Sequence, residues 1–156
     1  MHKTVQDIVN MKKEKKKIAP EEFWKVPVDI LIPASVTDVI HEGNMNDITA
    51  KIIVEAANIP MKEEIEEKLF KKGIVIVPDF VANAGGVISS YAEYRGYNSK
   101  RMFAVVREKI TKSTQEVLKE SMKRKESARK AGMRIAEERI RRAQKESSIT
   151  SLIQKG

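Results

Sequence analysis

The chain has 156 residues, the size of one domain with a single core, and it contains neither a run of about 18 apolar residues nor a basic-plus-apolar leader, so a membrane span or secretion is not expected and a cytoplasmic address is. Cysteine is absent, which excludes disulfides, thiolate nucleophiles and thiolate metal sites, and the two histidines, His2 and His41, stand apart from any second ligand, so no metal site is expected. The formal net charge of +8 is uneven, with 13 Lys+Arg against 15 Asp+Glu in residues 1–99 and 17 against 7 in residues 100–156.

Thr4-Val5-Gln6-Asp7 has capping-box spacing, with Asp in the Glu/Gln place, and Val5, Ile8, Val9 and Met11 make a short apolar stripe behind it. A first helix is expected there, ended by the charged residues 12–17. Pro20-Glu21-Glu22-Phe23-Trp24-Lys25 reads as a helical turn with proline at its first position and with Phe23 and Trp24 as core anchors. Three apolar runs follow: Val28-Asp29-Ile30-Leu31-Ile32, Lys51-Ile52-Ile53-Val54-Glu55 and Gly73-Ile74-Val75-Ile76-Val77. Their β-branched, almost continuous apolarity is that of strands buried on both faces. The connections are long enough for helical crossovers, the clearest helix being Glu63-Glu64-Ile65-Glu66-Glu67-Lys68-Leu69-Phe70. Repeated units of this kind imply an α/β fold with a parallel, partly doubly wound sheet.

From residue 99 onward the pattern is helical. Met102, Phe103, Val106, Ile110, Val117 and Leu118 form one apolar stripe and Met133, Ile135, Ala136, Ile140 and Ala143 another, with Gly132 as a candidate break. The basic residues of this segment are interleaved with Glu108, Glu116, Glu120, Glu126, Glu137, Glu138 and Glu146, which describes a solvated helix face better than a nucleic-acid surface. The expected organisation is a sheet unit over residues 1–99, helices over 100–146 and a frayed tail over 147–156.

Parallel strands end along one edge of their sheet, the edge where open α/β sheets bind ligands. The three expected ends carry Pro33-Ala34-Ser35, Ala56-Ala57-Asn58 and the stretch from Asp79 to Gly86. Asn58 and Asn83 each offer a donor and an acceptor to a ribose hydroxyl or a carboxamide, while Ala34 and Ser35 leave room for a flat ligand. Asparagines and small residues also make ordinary strand-to-helix turns, but three such corners in register favour a binding edge. The third corner is a polar, glycine-paired turn leading into a helix, where adjacent glycines permit close backbone approach and free N–H groups favour negative charge. On that helix Val87 and Ser90 lie three apart and share a face, an apolar wall beside a hydroxyl donor.

The ordered motifs Val28-Asp29-Ile30-Leu31-Ile32-Pro33-Ala34-Ser35, Ala50-Lys51-Ile52-Ile53-Val54-Glu55-Ala56-Ala57-Asn58 and Pro78-Asp79-Phe80-Val81-Ala82-Asn83-Ala84-Gly85-Gly86-Val87-Ile88-Ser89-Ser90-Tyr91 resemble those of the glutamate dehydrogenases, over residues 20–145. The resemblance implies the second half of a Rossmann-like nicotinamide-dinucleotide domain followed by C-terminal helices. It further implies NAD or NADP as cofactor, lined by Ala34, Ser35, Asn58 and Asn83, and a glutamate side chain facing Val87 and Ser90. Glutamate and 2-oxoglutarate would be the substrates, within a homo-oligomer. Where the family has Gly-Ala-Asn-Gly-Pro this sequence has Ala56-Ala57-Asn58-Ile59-Pro60, and Met61-Lys62 replaces a threonine pair. The sequence holds no G-x-G-x-x-G and nothing corresponding to the family's substrate domain with its catalytic lysine and aspartate, so it is expected to be a C-terminal part, inactive alone. The Lys-, Ile- and Glu-rich composition fits a heat-adapted source. The rival expectation is a non-catalytic α/β module that presents its basic helices to an anionic partner.

Overall fold

The computed structural model describes residues 18–153. The helix expected near residues 4–11 lies outside them. Pro20–Lys25 forms a short 3-10 segment with proline at its start. Trp24 packs on the core, whereas Phe23, edge-on to it with ring centroids 5.1 Å apart, is exposed, so only one of the two expected anchors serves as one. At three residues per turn, adjacent side chains diverge by about 120°, and a single such segment turns only one of them inward.

Three strands, β1 (Ile30–Leu31), β2 (Ile52–Val54) and β3 (Val75–Val77), form a parallel sheet in the order β1-β2-β3. The register pairs Leu31 with Ile53 and Ile53 with Ile76, then Val54 with Val77. Because side chains alternate between faces, two cores result. Ile53 and Ile76 join Ile40, Met45, Met61, Ile65, Leu69 and Ile74 on one side, and Val77 joins Val81, Val117, Ala128 and Ala131 on the other. The strands are not buried on both faces throughout. Ile30 is 52% and Val75 44% exposed, since the C-terminal helices cover the second face only towards the ends of β2 and β3.

Among the described residues the β1–β2 connection contains no helix, contrary to expectation. It is a series of turns in which the Asn44 side chain accepts from the His41 amide at 2.8 Å and donates to the Val39 carbonyl at 2.9 Å. Asp38, Gly43, Asn44, Asn46 and Asp47 favour such turns, because their side chains compete for the main chain or leave it too free. The β2–β3 connection holds the expected helix, α1 (Glu63–Lys71), acidic in its first turn and basic in its last, as the helix dipole favours. Gly73, at φ +88°, ends it in a Schellman motif: the Gly73 amide bonds the Phe70 carbonyl and the Ile74 amide bonds the Leu69 carbonyl.

After β3 come α2 (Asp79–Ala82), α3 (Gly85–Tyr94), α4 (Ser99–Arg124) and α5 (Ala128–Ile153). Asn98 caps α4 by accepting from the Arg101 amide at 2.9 Å. The helical stripes are less inward-facing than their spacing suggests, with Phe103, Met133 and Ile140 exposed. Gly132 is not a break. The chain turns instead at Lys125, φ +54°, while Gly132 lies buried inside α5, where an added Cβ would meet the Phe80 ring at 2.9 Å. Helix α5 continues to Ile153, into the stretch expected as a tail.

Candidate functional site

The C-terminal ends of β1, β2 and β3 lie together and are joined by hydrogen bonds. The Pro33 carbonyl, after β1, accepts from the amides of Ala56 and Ala57 at 3.1 and 2.8 Å. The Asp38 amide bonds the Ile59 carbonyl at 3.0 Å, and the Thr37 hydroxyl bonds that of Asn58 at 3.1 Å. After β3, the Asn83 carboxamide donates to the Ala57 carbonyl at 3.4 Å, and Asp79 Oδ2 accepts from the Ile59 amide at 2.9 Å. Ala34, Ser35 and Asn58 are exposed at this edge and Asn83 is half-buried. Ile59 adopts φ +48°. A β-branched residue is strained in that region, and glycine, at the same place in the resembled motif, is not.

The third corner is not a glycine turn. Gly85 and Gly86 are the first residues of α3, and neither has positive φ. A Cβ on Gly85 would lie 3.5 Å from Val106 and 3.6 Å from Ile110 of α4, whereas nothing lies within 4 Å of one on Gly86. The first glycine thus serves close helix packing and the second leaves open space. Val87 is 78% exposed, and Ser90, also exposed, donates to the Gly86 carbonyl at 3.1 Å. Val87, Tyr91 and Tyr94 give α3 an outward apolar face.

Beneath the edge is an ionic cluster that the sequence reading missed. Arg129 of α5 places Nη2 at 2.9 Å from Glu55 Oε2 and 3.1 Å from Asp79 Oδ1, and Nε at 2.5 Å from Glu66 Oε2. Glu55 Oε2 also accepts from the Asp79 amide at 2.8 Å, and Asp79 Oδ1 from the Phe80 amide at 2.9 Å. The guanidinium lies over the Phe80 ring, 5.4 Å from its centroid. Glu55, Glu66 and Asp79 are buried, and the Oε1 atoms of Glu55 and Glu66 have no hydrogen-bond partner. Burial, with the nearby Glu66 charge, pushes Glu55 up to about 7, and burial also raises Glu66. For Asp79 the burial penalty is outweighed by the amides of Ile59 and Phe80 and by Arg129, so its pKa falls. Burial opposes the Arg129 charge as well, yet Glu66, Glu55 and Asp79 raise its pKa further. One signal was visible in the sequence: Glu55 and Asp79 each close an apolar strand, and a carboxylate there needs a partner.

Among the described residues no acidic or histidine group is arranged to hold a metal ion, and no helix is long and apolar enough to cross a membrane. Many cations of α4 and α5 are paired with the interleaved glutamates, Arg134 with Glu120 and Glu126, Arg139 with Glu116, Arg141 with Glu137.

Residues 1–148 match the family model described as Glutamate/Leucine/Phenylalanine/Valine dehydrogenase. A glutamate dehydrogenase of Aeropyrum pernix is 39% identical over 140 residues, 83% of this chain and 34% of that protein. An NADP-specific glutamate dehydrogenase of Saccharolobus shibatae is 45% identical over 86 residues, 55% of this chain and 20% of that one. The chain therefore spans at most about a third of the length of these relatives. Of solved structures, L-tryptophan dehydrogenase from Nostoc punctiforme superposes with a TM-score of 0.75 at 30% identity, over 82% of this chain and 38% of that one. The hetero-hexameric glutamate dehydrogenase of Thermus thermophilus shares the fold, with a TM-score of 0.70 at 20% identity over 86% of this chain and 34% of that one. With its parallel sheet, its joined strand ends and these matches, the chain belongs to the Glutamate/Leucine/Phenylalanine/Valine dehydrogenase family.

Proposed function

We propose that this sequence forms the C-terminal part of a glutamate dehydrogenase, which interconverts L-glutamate with 2-oxoglutarate and ammonia. The observation that carries the reading is the tying of three strand ends into one edge through Pro33, Ile59 and Asp79. When bound there, NAD or NADP supplies the hydride chemistry, and these residues supply position. Ala34 and Ser35 leave space for a flat ring, and the carboxamides of Asn58 and Asn83 suit ribose hydroxyls or the nicotinamide carboxamide. The residues fit the nicotinamide end of the dinucleotide, since the sequence contains no G-x-G-x-x-G for a pyrophosphate.

Val87 would pack on the methylenes of glutamate. Ser90, by turning its hydroxyl away from the Gly86 carbonyl, would donate to the side-chain carboxylate. That donor favours glutamate over leucine, valine or phenylalanine, because only a side-chain carboxylate offers the hydroxyl an ionised acceptor in exchange for the Gly86 carbonyl. Assembly as a homo-oligomer in the cytoplasm belongs to the same reading. The ion pairs along α4 and α5 support a solvated helix face over a nucleic-acid surface.

The test is a titration of the 156-residue chain with NADH and NADPH, followed by amide chemical shifts. Weak binding that shifts Ser35, Asn58 and Asn83 is expected, with no glutamate oxidation above a blank. Salt-sensitive polynucleotide binding without dinucleotide binding would replace this reading with that of an interaction module.

A further inference from the structure

We propose that Arg129 is a positioning residue for the dinucleotide, fixing from helix α5 the main chain of Asn58 and Ile59. The inference rests on the reading above, in which Asn58 meets the cofactor. It follows one chain of bonds. Arg129 Nη2 holds Asp79 Oδ1 and Glu55 Oε2 together, Glu55 Oε2 holds the Asp79 amide, and the second Asp79 oxygen, Oδ2, takes the Ile59 amide. Ile59 stands at φ +48°, a conformation its side chain disfavours, so the hydrogen bond to a buried carboxylate opposes its relaxation. The peptide group that joins Asn58 to Ile59 is thereby held at both ends, its N–H by that bond and its carbonyl by the Thr37 hydroxyl. The aim of the Asn58 carboxamide thus depends on a guanidinium more than 70 residues further along the sequence.

A purely structural role makes a different prediction, because Arg129 has two functions that can be separated. Its Nε docks α5 on the Glu66 side chain of α1, which makes no hydrogen bond to Asp79 or Ile59, while its Nη2 acts on Glu55 and Asp79. If Arg129 only fastened α5, cutting either arm would have the same consequence for the cofactor.

The experiment compares the 156-residue chain with Arg129→Met, Arg129→Lys, Asp79→Asn and Glu66→Gln, measuring NADH affinity by titration and the hydrogen exchange of the Ile59 amide without nucleotide. Loss of one hydrogen bond to a charged group is worth about a factor of ten or more in equilibrium. Arg129→Met and Asp79→Asn are expected to weaken NADH binding about tenfold and to speed Ile59 exchange about as much, and Arg129→Lys to fall between them and the unaltered chain. Glu66→Gln, which alters the docking arm alone, is expected to leave NADH affinity and Ile59 exchange within about twofold of the unaltered chain. Unchanged affinity and exchange in a folded Arg129→Met chain would overturn the proposal. If that variant does not fold, unchanged affinity in Arg129→Lys would do the same, as would equal losses in Glu66→Gln and Asp79→Asn. Failure of the unaltered chain to bind NADH would instead remove the cofactor reading and this inference with it, even with Ile59 protected.

Discussion

Replacing Glu55 with Gln should make the protein more stable in mild alkali. In the folded chain Glu55 is 0% exposed, and burial raises its pKa from the ordinary 4.5 to about 7. Between those values the folded chain holds a proton that the unfolded chain has released, so stability falls as pH rises through this window. The loss from pH 5 to pH 8 is about 2–3 kcal/mol at about 1.36 kcal/mol per pKa unit. The raised Glu66 acts in the same direction, whereas Asp79, with its lowered pKa, contributes stability that is lost only as pH falls below the usual carboxylate range. Glutamine keeps an oxygen for the Asp79 amide and Arg129 but has no proton to lose. Urea unfolding followed by circular dichroism, at pH 5 and pH 8 and fixed ionic strength, should show the variant within about 1 kcal/mol of the parent at pH 5 and more stable by about 2 kcal/mol at pH 8. A parent whose stability rises across this interval, or a variant that keeps the parent's slope, would refute the reasoning.

Three other changes are informative. In a full-length enzyme carrying this sequence, Ser90→Ala should lower kcat/KM for glutamate roughly ten- to a hundredfold, with cofactor affinity little changed and norvaline used relatively better; steady-state kinetics with each substrate varied would show it, and unaltered glutamate kinetics would take Ser90 out of the site. Ile59→Gly should raise the thermal midpoint, because about 1–2 kcal/mol of left-handed strain is relieved against a smaller entropic cost of glycine; a lowered midpoint would mean that Ile59 is not strained there. Gly132→Ala should change stability by no more than about 1 kcal/mol, since the Phe80 ring, 38% exposed, has room to move and the gain in helix propensity offsets its displacement. Shifted Phe80 ring resonances would accompany that change, and a loss above about 3 kcal/mol would show the ring to be pinned.

Much of the sheet was legible because its signal is local. The apolar runs that contain β1, β2 and β3, and the amphipathic stretch beginning at Glu63, need only a few consecutive residues to be recognised. The β1–β2 connection was misread on length alone, although Asp38, Gly43, Asn44 and Asn46 stand in it as turn formers. Gly132 was ambiguous in the same way, since a glycine inside a helical pattern marks either an end or a close approach, and only the Phe80 ring from another element decides which. The corners that gather Ala34, Ser35, Asn58 and Asn83 were readable from the parallel order of the strands. Arg129 was not, because nothing within a turn of it distinguishes it from the other cations of its helix, and its three partners sit on other elements.

The long reach of that guanidinium also sets an order of events during synthesis. Glu66 precedes Arg129 by 63 residues and Asp79 precedes it by 50, so on a ribosome adding about 5–20 residues per second both carboxylates emerge about 3 to 13 seconds ahead of their cation. Through that interval the nascent β2–α1–β3 unit must keep its acidic seam wet or protonated, because an unpaired buried charge is costly. Docking of the final helix then drives out that water, which makes the strand-end edge one of the last parts of the molecule to set.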